Sequence, residues 1–346
     1  VLPAFCDSHT HLVYAGSREI EYSDKIRGLS YEEIAQRGGG INNSARKLRE
    51  TSEEDLYEQA LGRIQEIISL GTGAVEIKSG YGLELEAELK MLRVIRKLKE
   101  NTDIQIKSTF LGAHSVPLEY EGRQSEYVDL IINSMLPRVA HEGLADFVDV
   151  FCDRGFFTIE ETDRILEAAA SYGLIPKIHA NELDYSGGIQ IGVQHGALSV
   201  DHLEFTGDQE IEALLKSSTM PTILPGAAFF LGMNWAPARK MIDAGLPIAL
   251  ASDYNPGSSP SGDMKFIFSL ACICLKLLPE EALQAITLNS AYAMGLEKEL
   301  GTITIGKRAN LIVSKKISGL EYLPYAYGSH LIDSTILNGK IYPSKL

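Results

Sequence analysis

Short apolar segments that end in Gly, Asn, Asp or His alternate along this chain with longer segments whose apolar residues recur at helical spacing. This alternation is typical of βα units around a parallel sheet. Eight of the apolar segments are, in order, AFCDSHTHL, GAVEIKSGYG, IQIKSTFLGAHS, FVDVFCD, PKIHANE, ALSVDHLEF, PTILPGAA and PIALASDYNPG. We predict that each forms a strand.

The segment SEEDLYEQALGRIQEIISLG, between the first two predicted strands, shows the helical pattern clearly. Its apolar residues at near-helical spacing include Leu56, Leu61, Ile64 and Ile68. Ser52, followed by acidic residues, is a typical helix start, and Gly71 is a typical helix stop.

Eight strands with intervening helices match a (β/α)8 barrel in number and in size. A doubly wound open sheet is the alternative, but its Gly-rich dinucleotide fingerprint is missing after the first predicted strand. We therefore predict an α/β fold with a TIM-like (β/α)8 barrel over residues 1–298. The segment RGGGIN, Arg37 to Asn42, lacks the Walker lysine pattern, and we predict a flexible active-site loop there rather than a phosphate-binding loop.

The character of the sequence changes after EEALQAITLNSAYAMGL. The segments GTITIGKRANLIVSKK and DSTILNGKIYP are β-rich, with turn signals at Ile305-Gly306 and Asn338-Gly339. A few such strands cannot bury both faces alone. We expect residues 299–346 to form the C-terminal part of a small β-sandwich domain whose other strands precede Val1.

The composition narrows the functional classes. The chain has 346 residues and a formal net charge of -14, which argues against nucleic acid or an anionic membrane as partner, because both would repel it. The cysteines lie far apart or inside apolar stretches and are Cys6, Cys152, Cys272 and Cys274. They indicate buried thiols in a reducing compartment, so we expect a cytoplasmic protein.

Polar residues gather at the carboxyl ends of the predicted strands, where (β/α)8 barrels build active sites. They are His9, His11, Tyr81, His114, His179, Glu182, His202, Asp253 and Asn255. Residues two apart in a strand share a face, so His9 and His11 project together. Three histidines and one aspartate suit a mononuclear metal site with an open position for water. Zinc and iron both accept such ligands.

Six motifs carry a family resemblance: DSHTHLVYAGSRE, EIKSGYGL, STFLGAHSVP, KIHANEL, SVDHLEF and ALASDYNPGSSP. Together they closely resemble the imidazolonepropionases, an amidohydrolase-superfamily family of histidine degradation. Many amidohydrolases share His-x-His, whereas the Arg-containing first motif and SGYG are far more specific. The resemblance implies hydrolytic opening of the cyclic amide of 4-imidazolone-5-propanoate to N-formimidoyl-L-glutamate.

The resemblance also implies roles for individual residues. The implied ligands of one zinc or iron ion are His9, His11, His179 and Asp253. The implied substrate-binding residues are Arg18, Tyr81, His114, Glu182, Asn255, Gly257 and Ser258. The implied proton-transfer residues are Glu182, His202 and Asp253. Arg18 is the candidate for the propionate carboxylate, and the absence of a lysine from FVDVFCD, where dinuclear relatives carry a bridging carbamate, favours a single ion.

Several alternatives stay open. The enzyme alternatives are another mononuclear amidohydrolase, such as a deaminase or a different cyclic amidase. A metal-free scaffold acting through protein interactions is disfavoured because every proposed ligand is present. For Arg18, the alternative is a surface ion pair with Glu19 or Glu21, worth under ~1 kcal/mol. As partners we expect a small anionic substrate and a second copy of the chain in a homodimer.

Overall fold

The computed structural model of the chain describes residues 1–29 and 39–344. The strands are β1 (Leu2–Pro3), β2 (Phe5–Thr10), β3 (Thr72–Lys78), β4 (Gln105–Ala113), β5 (Phe147–Cys152), β6 (Ile175–Ala180), β7 (Ser199–His202), β8 (Met220–Ile223), β9 (Ala249–Leu250), β10 (Leu311–Ser314), β11 (Ile332–Leu337) and β12 (Lys340–Pro343). Strands β2 to β9 form one eight-stranded parallel sheet in chain order.

Hydrogen bonds between β2 and the segment after β9 bring the two edges of this sheet together. The His11 N–H donates to Tyr254 O over 2.9 Å, and the Asp253 N–H donates to His9 O over 3.0 Å. The sheet is therefore a nearly closed barrel, and the predicted (β/α)8 architecture is confirmed.

Helices connect successive barrel strands. The α-helices are α1 (Glu19–Ile26), α2 (Ile41–Glu50), α3 (Glu53–Ser69), α4 (Leu85–Asn101), α5 (Gln124–Leu130), α6 (Leu136–His141), α7 (Ile159–Ala170), α8 (Gly188–Gln194), α9 (Asp208–Leu215), α10 (Pro225–Leu231), α11 (Ala238–Asp243), α12 (Met264–Ile273), α13 (Pro279–Gln284), α14 (Ser290–Tyr292) and α15 (Tyr322–Tyr325). A 3₁₀ turn covers Leu118–Tyr120, and π-helical turns cover Ile131–Met135 and Ala285–Asn289. In the described part of the chain, no helix is both long and apolar enough to cross a membrane.

Helix α3 follows the sequence pattern closely. The Ser52 hydroxyl caps it by accepting the Asp55 N–H over 3.0 Å. Leu56 and Ile64 are fully buried on its inner face. The helix ends before Gly71, whose φ of 101° suits glycine.

Several strands are shorter than the predicted segments, and the segment PTILPGAA differs by more than its length. We expected PTILPGAA to be extended throughout, but β8 ends at Ile223 and helix α10 begins at Pro225. Proline has no N–H to donate to a strand neighbour, yet it fits the first turn of a helix. Strand β9 also covers only two residues of its predicted segment.

The β-rich C-terminal segment forms a second, antiparallel sheet in the order β1-β10-β11-β12. Strand β1, which precedes the barrel, joins this sheet by pairing Leu2 with Ile312. Asn338 and Gly339, at φ of 50° and 83°, form the predicted two-residue hairpin turn between β11 and β12. The domain boundary between residues 298 and 299 stays a prediction.

The predicted RGGGIN loop is described only in part. Arg37 and Gly38 lie outside the described residues. Gly40 precedes helix α2, and its N–H donates to the Glu21 carboxylate over 3.0 Å. Ile41 lines the main cavity of the barrel face considered below.

Candidate active site

A cavity of about 570 Å³ opens where the barrel strands end. The residues proposed from the sequence that line it are His11, Arg18, Tyr81, His114, His179, Glu182, His202, Asp253, Asn255, Gly257 and Ser258. His9 is the one proposed site residue outside this lining. It is fully buried, and its ring centroid lies 4.4 Å from that of His179. The fold therefore gathers the proposed residues around one cavity.

The three histidines proposed as metal ligands meet at one point. One ring nitrogen from each of His9, His11 and His179 lies within 4.8 Å of the other two. The Asp253 Oδ1 atom lies 3.6 Å from both His9 Nε2 and His11 Nε2. All four side chains are buried.

The hydrogen bonding of this cluster is incomplete without an additional group. Among the described residues, His9 Nε2, His179 Nε2 and Asp253 Oδ1 are buried and have no hydrogen-bond partner. Leaving a buried polar atom unsatisfied costs about 1–3 kcal/mol. A divalent metal ion would satisfy these atoms together, because imidazole nitrogens and a carboxylate oxygen are among its preferred ligands. The residues present therefore fit a metal ion.

Backbone strain is concentrated at the strand ends that carry these side chains. Asn181, His202 and Asp253 have φ values of 55°, 86° and 54°, in the left-handed region. Such conformations cost on the order of 1–3 kcal/mol each in residues other than glycine, and they cluster at functional sites. Hydrogen bonds fix two of them, from the Phe205 N–H to Asn181 O over 2.8 Å and from the Asp253 N–H to His9 O over 3.0 Å.

The loop after Asp253 orients its carboxylate. The Ser258 hydroxyl lies 3.2 Å from Asp253 Oδ2 and can donate to it, which leaves Oδ1 free toward the histidines. Asn255 Nδ2 donates to Asp253 O over 2.6 Å and to Ser258 Oγ over 2.7 Å. Asn255 Oδ1 accepts the N–H groups of Gly257 and Ser258 over 2.7 and 2.8 Å. These bonds use both Asn255 amide hydrogens, so the side chain holds the loop in place.

Arg18 both forms an ion pair with Glu21 and lines the cavity. Its Nη2 atom lies 2.6 Å and its Nε atom 2.7 Å from Glu21 Oε2, which is the ion pair weighed as an alternative to substrate binding. The guanidinium also lines the cavity, together with Lys25. Lys25 was not identified from the sequence, because a lysine in a helix of charged residues carries no distinguishing signal.

Tyr81 sits on a loop that a buried carboxylate clamps. Tyr81 is 4% exposed and lines the cavity. Glu88 accepts the backbone N–H groups of Gly80, Gly82 and Leu83 over 3.0, 2.7 and 2.9 Å. Sequence reasoning missed Glu88, although an acidic residue between buried Ala87 and Leu89 in helix α4 is an unusual feature.

His114 is held in one tautomer. Its Nδ1 lies 3.0 Å from Gly80 O, and a carbonyl oxygen can only accept, so Nδ1 carries the proton and Nε2 is an acceptor. Burial, with a smaller contribution from the neighbouring His179, lowers the pKa of His114 to about 3. The ring is therefore neutral near pH 7 and stacks on His11 at a centroid distance of 5.2 Å.

Glu182 and His202 face each other at the cavity wall. His202 Nδ1 lies 3.6 Å from Glu182 Oε2. Burial, with the carboxylate of Asp253 as a further cause, raises the pKa of Glu182 to about 8. Asp153 was not identified from the sequence, and it holds this loop by accepting the N–H groups of Glu182 and Leu183 over 2.7 and 2.9 Å. A carboxyl group with its pKa near neutrality can both take up and release a proton.

Comparison with known proteins places the chain among named relatives. The sequence matches the model of the amidohydrolase family over residues 1–342. The imidazolonepropionase of Christiangramia forsetii is 57% identical over 341 residues, covering 99% of this chain and 83% of that protein. That of Flavobacterium johnsoniae is 58% identical over 341 residues, with the same shares covered. That of Geobacillus kaustophilus is 44% identical over 341 residues, covering 99% of this chain and 80% of that protein.

Solved structures share the fold at low identity. A 5-methylcytosine deaminase from Klebsiella pneumoniae has a TM-score of 0.78 at 17% identity, covering 100% of this chain and 87% of that chain. An adenosine deaminase from Xanthomonas campestris with bound zinc has a TM-score of 0.68 at 16% identity, covering 100% of this chain and 81% of that chain. At these identities the likeness is evidence for the fold alone.

Proposed function

This chain belongs to the amidohydrolase family and, within it, to the imidazolonepropionases, and we propose that it hydrolyses 4-imidazolone-5-propanoate to N-formimidoyl-L-glutamate in histidine degradation. One observation carries the proposal: the buried cluster of His9, His11, His179 and Asp253 borders a cavity that also holds Arg18 and Tyr81. The identities of 57% and 58% to named relatives support the same substrate.

We propose that one zinc or iron ion occupies this cluster, with His9, His11, His179 and Asp253 as its ligands. A bound metal lowers the pKa of water toward ~7 and polarises the carbonyl that is attacked. Zinc is bound by the structurally similar adenosine deaminase, and iron accepts the same nitrogen and oxygen ligands. Ser258 supports the site by orienting Asp253 through the contact with its Oδ2 atom.

The cationic side chains of the cavity suit the propionate group of the substrate. Arg18 and Lys25 are the cations that line the cavity among the described residues. A guanidinium can donate two parallel hydrogen bonds to a carboxylate. Because Glu21 already occupies Arg18 Nε and Nη2, we propose that the remaining nitrogen, Nη1, donates to the propionate. Tyr81 and His114 line the same cavity with their ring centroids 5.4 Å apart, and we propose that they contact the substrate ring.

Hydrolysis requires a proton to move from water to the leaving ring nitrogen. Water adds to the ring carbonyl carbon to form a C–O bond, and the C–N bond of the cyclic amide then breaks. We propose that Glu182, which lines the cavity beside the cluster, takes the water proton and delivers it to the nitrogen. His202 lies 3.6 Å from Glu182 and steadies the charge during the transfer.

Turnover of 4-imidazolone-5-propanoate by the purified protein, with analysis of bound metal, tests the proposal. We expect turnover by the native chain and none with cytosine, guanine or hydantoin. His179→Ala should lose metal and turnover together, whereas Arg18→Ala should keep its metal and bind substrate more weakly. His195→Ala is the matched control. His195 Nε2 lies 2.7 Å from Asp163 Oδ1, and His195 is not among the residues that line the cavity. Full metal occupancy in His179→Ala would contradict the ligand assignment.

Two further expectations stand beside this proposal. We propose that the substrate is the small anion described above and that two copies of the chain associate as a homodimer. Sedimentation of the purified protein tests the dimer. The cytoplasmic location stays a prediction.

A further inference from the structure

Five ionisable side chains are buried within the barrel, directly behind the histidines. They are Glu76 and Lys78 on β3, Asp149 on β5, Lys177 on β6 and Asp201 on β7, and none is more than 1% exposed. Replacing such a buried ionic group by apolar residues is often neutral or stabilising. Retention of a buried charged network therefore calls for a role besides stability.

Two lysines link the three carboxylates. Lys78 Nζ lies 2.6 Å from Glu76 Oε1, 2.8 Å from Asp149 Oδ2 and 3.6 Å from Asp201 Oδ2. Lys177 Nζ contacts Glu76 Oε2, donates to Ser8 O over 2.9 Å and lies 3.9 Å from Asp201 Oδ2. The two ammonium groups therefore hold the carboxylates of Glu76, Asp149 and Asp201 in one network.

Two of the carboxylates face the rings of proposed metal ligands. Asp201 Oδ2 lies 2.6 Å from His9 Nδ1, and Asp149 Oδ2 lies 2.9 Å from His179 Nδ1. Asp149 Oδ1 also accepts the backbone N–H of His179 over 3.1 Å. An ionised carboxylate can only accept a hydrogen bond, so His9 Nδ1 carries the proton and His9 Nε2 offers its lone pair. The short contact with Asp149 favours the same tautomer for His179. Both Nε2 atoms lack a hydrogen-bond partner among the described residues, and His179 Nδ1 meets Asp149 at ion-pair distance without hydrogen-bond geometry.

We propose that Asp201 and Asp149 are positioning residues that fix the tautomer and orientation of His9 and His179, and that Lys78 holds both carboxylates in place. The charge of each carboxylate also makes the opposite Nε2 a stronger donor to a metal. Lys78 is the one cation in contact with both Asp149 and Asp201 among the described side chains, so its removal should weaken both pairs together.

This inference rests on the proposed metal site and not on the identity of the substrate. The test therefore measures zinc binding as well as activity. The holoenzymes of the native chain, Asp201→Asn, Asp149→Asn and Lys78→Met are titrated with a chelator of known zinc affinity. Loss of partners behind metal-binding histidines typically weakens metal affinity by about 10–100-fold. We expect losses of zinc affinity of this size in each variant. In the Lys78→Met background, Asp201→Asn should change the zinc affinity little further.

A spectroscopic measurement separates positioning from general loss of structure. In ¹⁵N-histidine-labelled holoenzyme, we expect a downfield, slowly exchanging Nδ1–H resonance for His9 that moves in Asp201→Asn and disappears in Asp201→Ala. Asp146→Asn is the matched control, because Asp146 accepts the Ser108 N–H over 3.0 Å and pairs with Lys107 over 3.2 Å rather than with a histidine. If Asp201→Asn fails to fold, Asp149→Asn gives the same two measurements for His179, and the reverse holds if Asp149→Asn fails to fold.

The outcomes are distinct. Zinc affinity within twofold of the native value in both Asp201→Asn and Asp149→Asn, with unchanged histidine resonances, would overturn the proposal. Weakened zinc binding in a protein that does not hydrolyse 4-imidazolone-5-propanoate would support the positioning role while the proposed function failed. Equal loss of zinc affinity in the Asp146→Asn control would also overturn the proposal.

Discussion

Gly257 lies so close to Arg18 that a Cβ atom on this glycine would stand 2.2 Å from Arg18 Nη1. Glu21 holds the guanidinium from its other side through Nε and Nη2. The φ of Gly257 is not in the left-handed region, so the requirement for glycine comes from space alone. The pair therefore defines where the Arg18 guanidinium can lie in the cavity.

We predict that Gly257→Ala raises KM without loss of metal, because the added methyl group must displace Arg18. A lost hydrogen bond between charged groups costs about 1.5–3 kcal/mol, or roughly a 10–100-fold rise in KM. Steady-state kinetics with metal analysis measures both quantities. Gly62→Ala is the control, because nothing lies within 4 Å of a Cβ at that helical position.

A double-mutant cycle shows whether the effect passes through Arg18. In an Arg18→Ala background, Gly257→Ala should change KM little, because the group that the methyl displaces is already absent. Additive effects of the two substitutions would contradict the link between these residues.

The clamp on the Tyr81 loop gives a second prediction. Glu88→Gln replaces an acceptor of three backbone N–H groups with an amide that turns donor hydrogens toward at least one of them. We expect a loss of roughly 2 kcal/mol in unfolding free energy, since an unsatisfied buried donor costs about 1–3 kcal/mol. We also expect a lower kcat/KM with metal content unchanged, because Tyr81 loses its fixed position.

Glu86→Gln on the same helix provides the comparison for Glu88→Gln. The Glu86 side chain is 66% exposed and its ion pair with Arg138 spans 3.8 Å, so little change in stability or activity is expected. Urea unfolding and kinetics of the two variants side by side test the clamp. Equal behaviour of the two variants would rule it out.

The barrel and the meeting of the four proposed metal ligands could be predicted from the sequence, because each depends on a local pattern. Strand alternation places His9 and His11 on one face, and parallel strands bring His179 and Asp253 to the same end. The confirmed barrel follows from those periodicities. The roles of individual site residues stay proposals.

The residues that hold the site residues in place could not be predicted from the sequence, for a physical reason. Glu88 and Asp153 accept hydrogen bonds from backbone N–H groups. Because almost every residue has such a group, no particular residue type in the sequence indicates these contacts. Lys78 and Lys177 resemble ordinary strand lysines until barrel closure places them beside carboxylates from other strands. Strand β8 ends early because Pro225 begins helix α10. In the sequence, the apolar residues around Pro225 predicted a longer strand instead.

Removal of the metal should destabilise the fold as well as abolish turnover. A ligand that binds only the folded state at about 1,000 times its Kd contributes about 4 kcal/mol to stability. For a domain of this size we expect the melting temperature to fall by roughly 5–15 °C after chelation, and to recover when zinc is added back. Calorimetry measures both steps. His179→Ala should show no such shift, and a shift of equal size in that variant would contradict His179 as a ligand.

The last prediction concerns Asn255, whose resemblance-based role is substrate binding and whose hydrogen bonds all lie within its own loop. Asn255→Ala should lower the unfolding free energy by about 2–4 kcal/mol, since several bonds of about 1 kcal/mol each are lost together. It should also reduce kcat, because Ser258 and Asp253 lose their alignment. Asn101→Ala, which removes one exposed bond to Lys97 O, is the control. A rise in KM alone, with stability unchanged, would instead favour direct contact between Asn255 and the substrate.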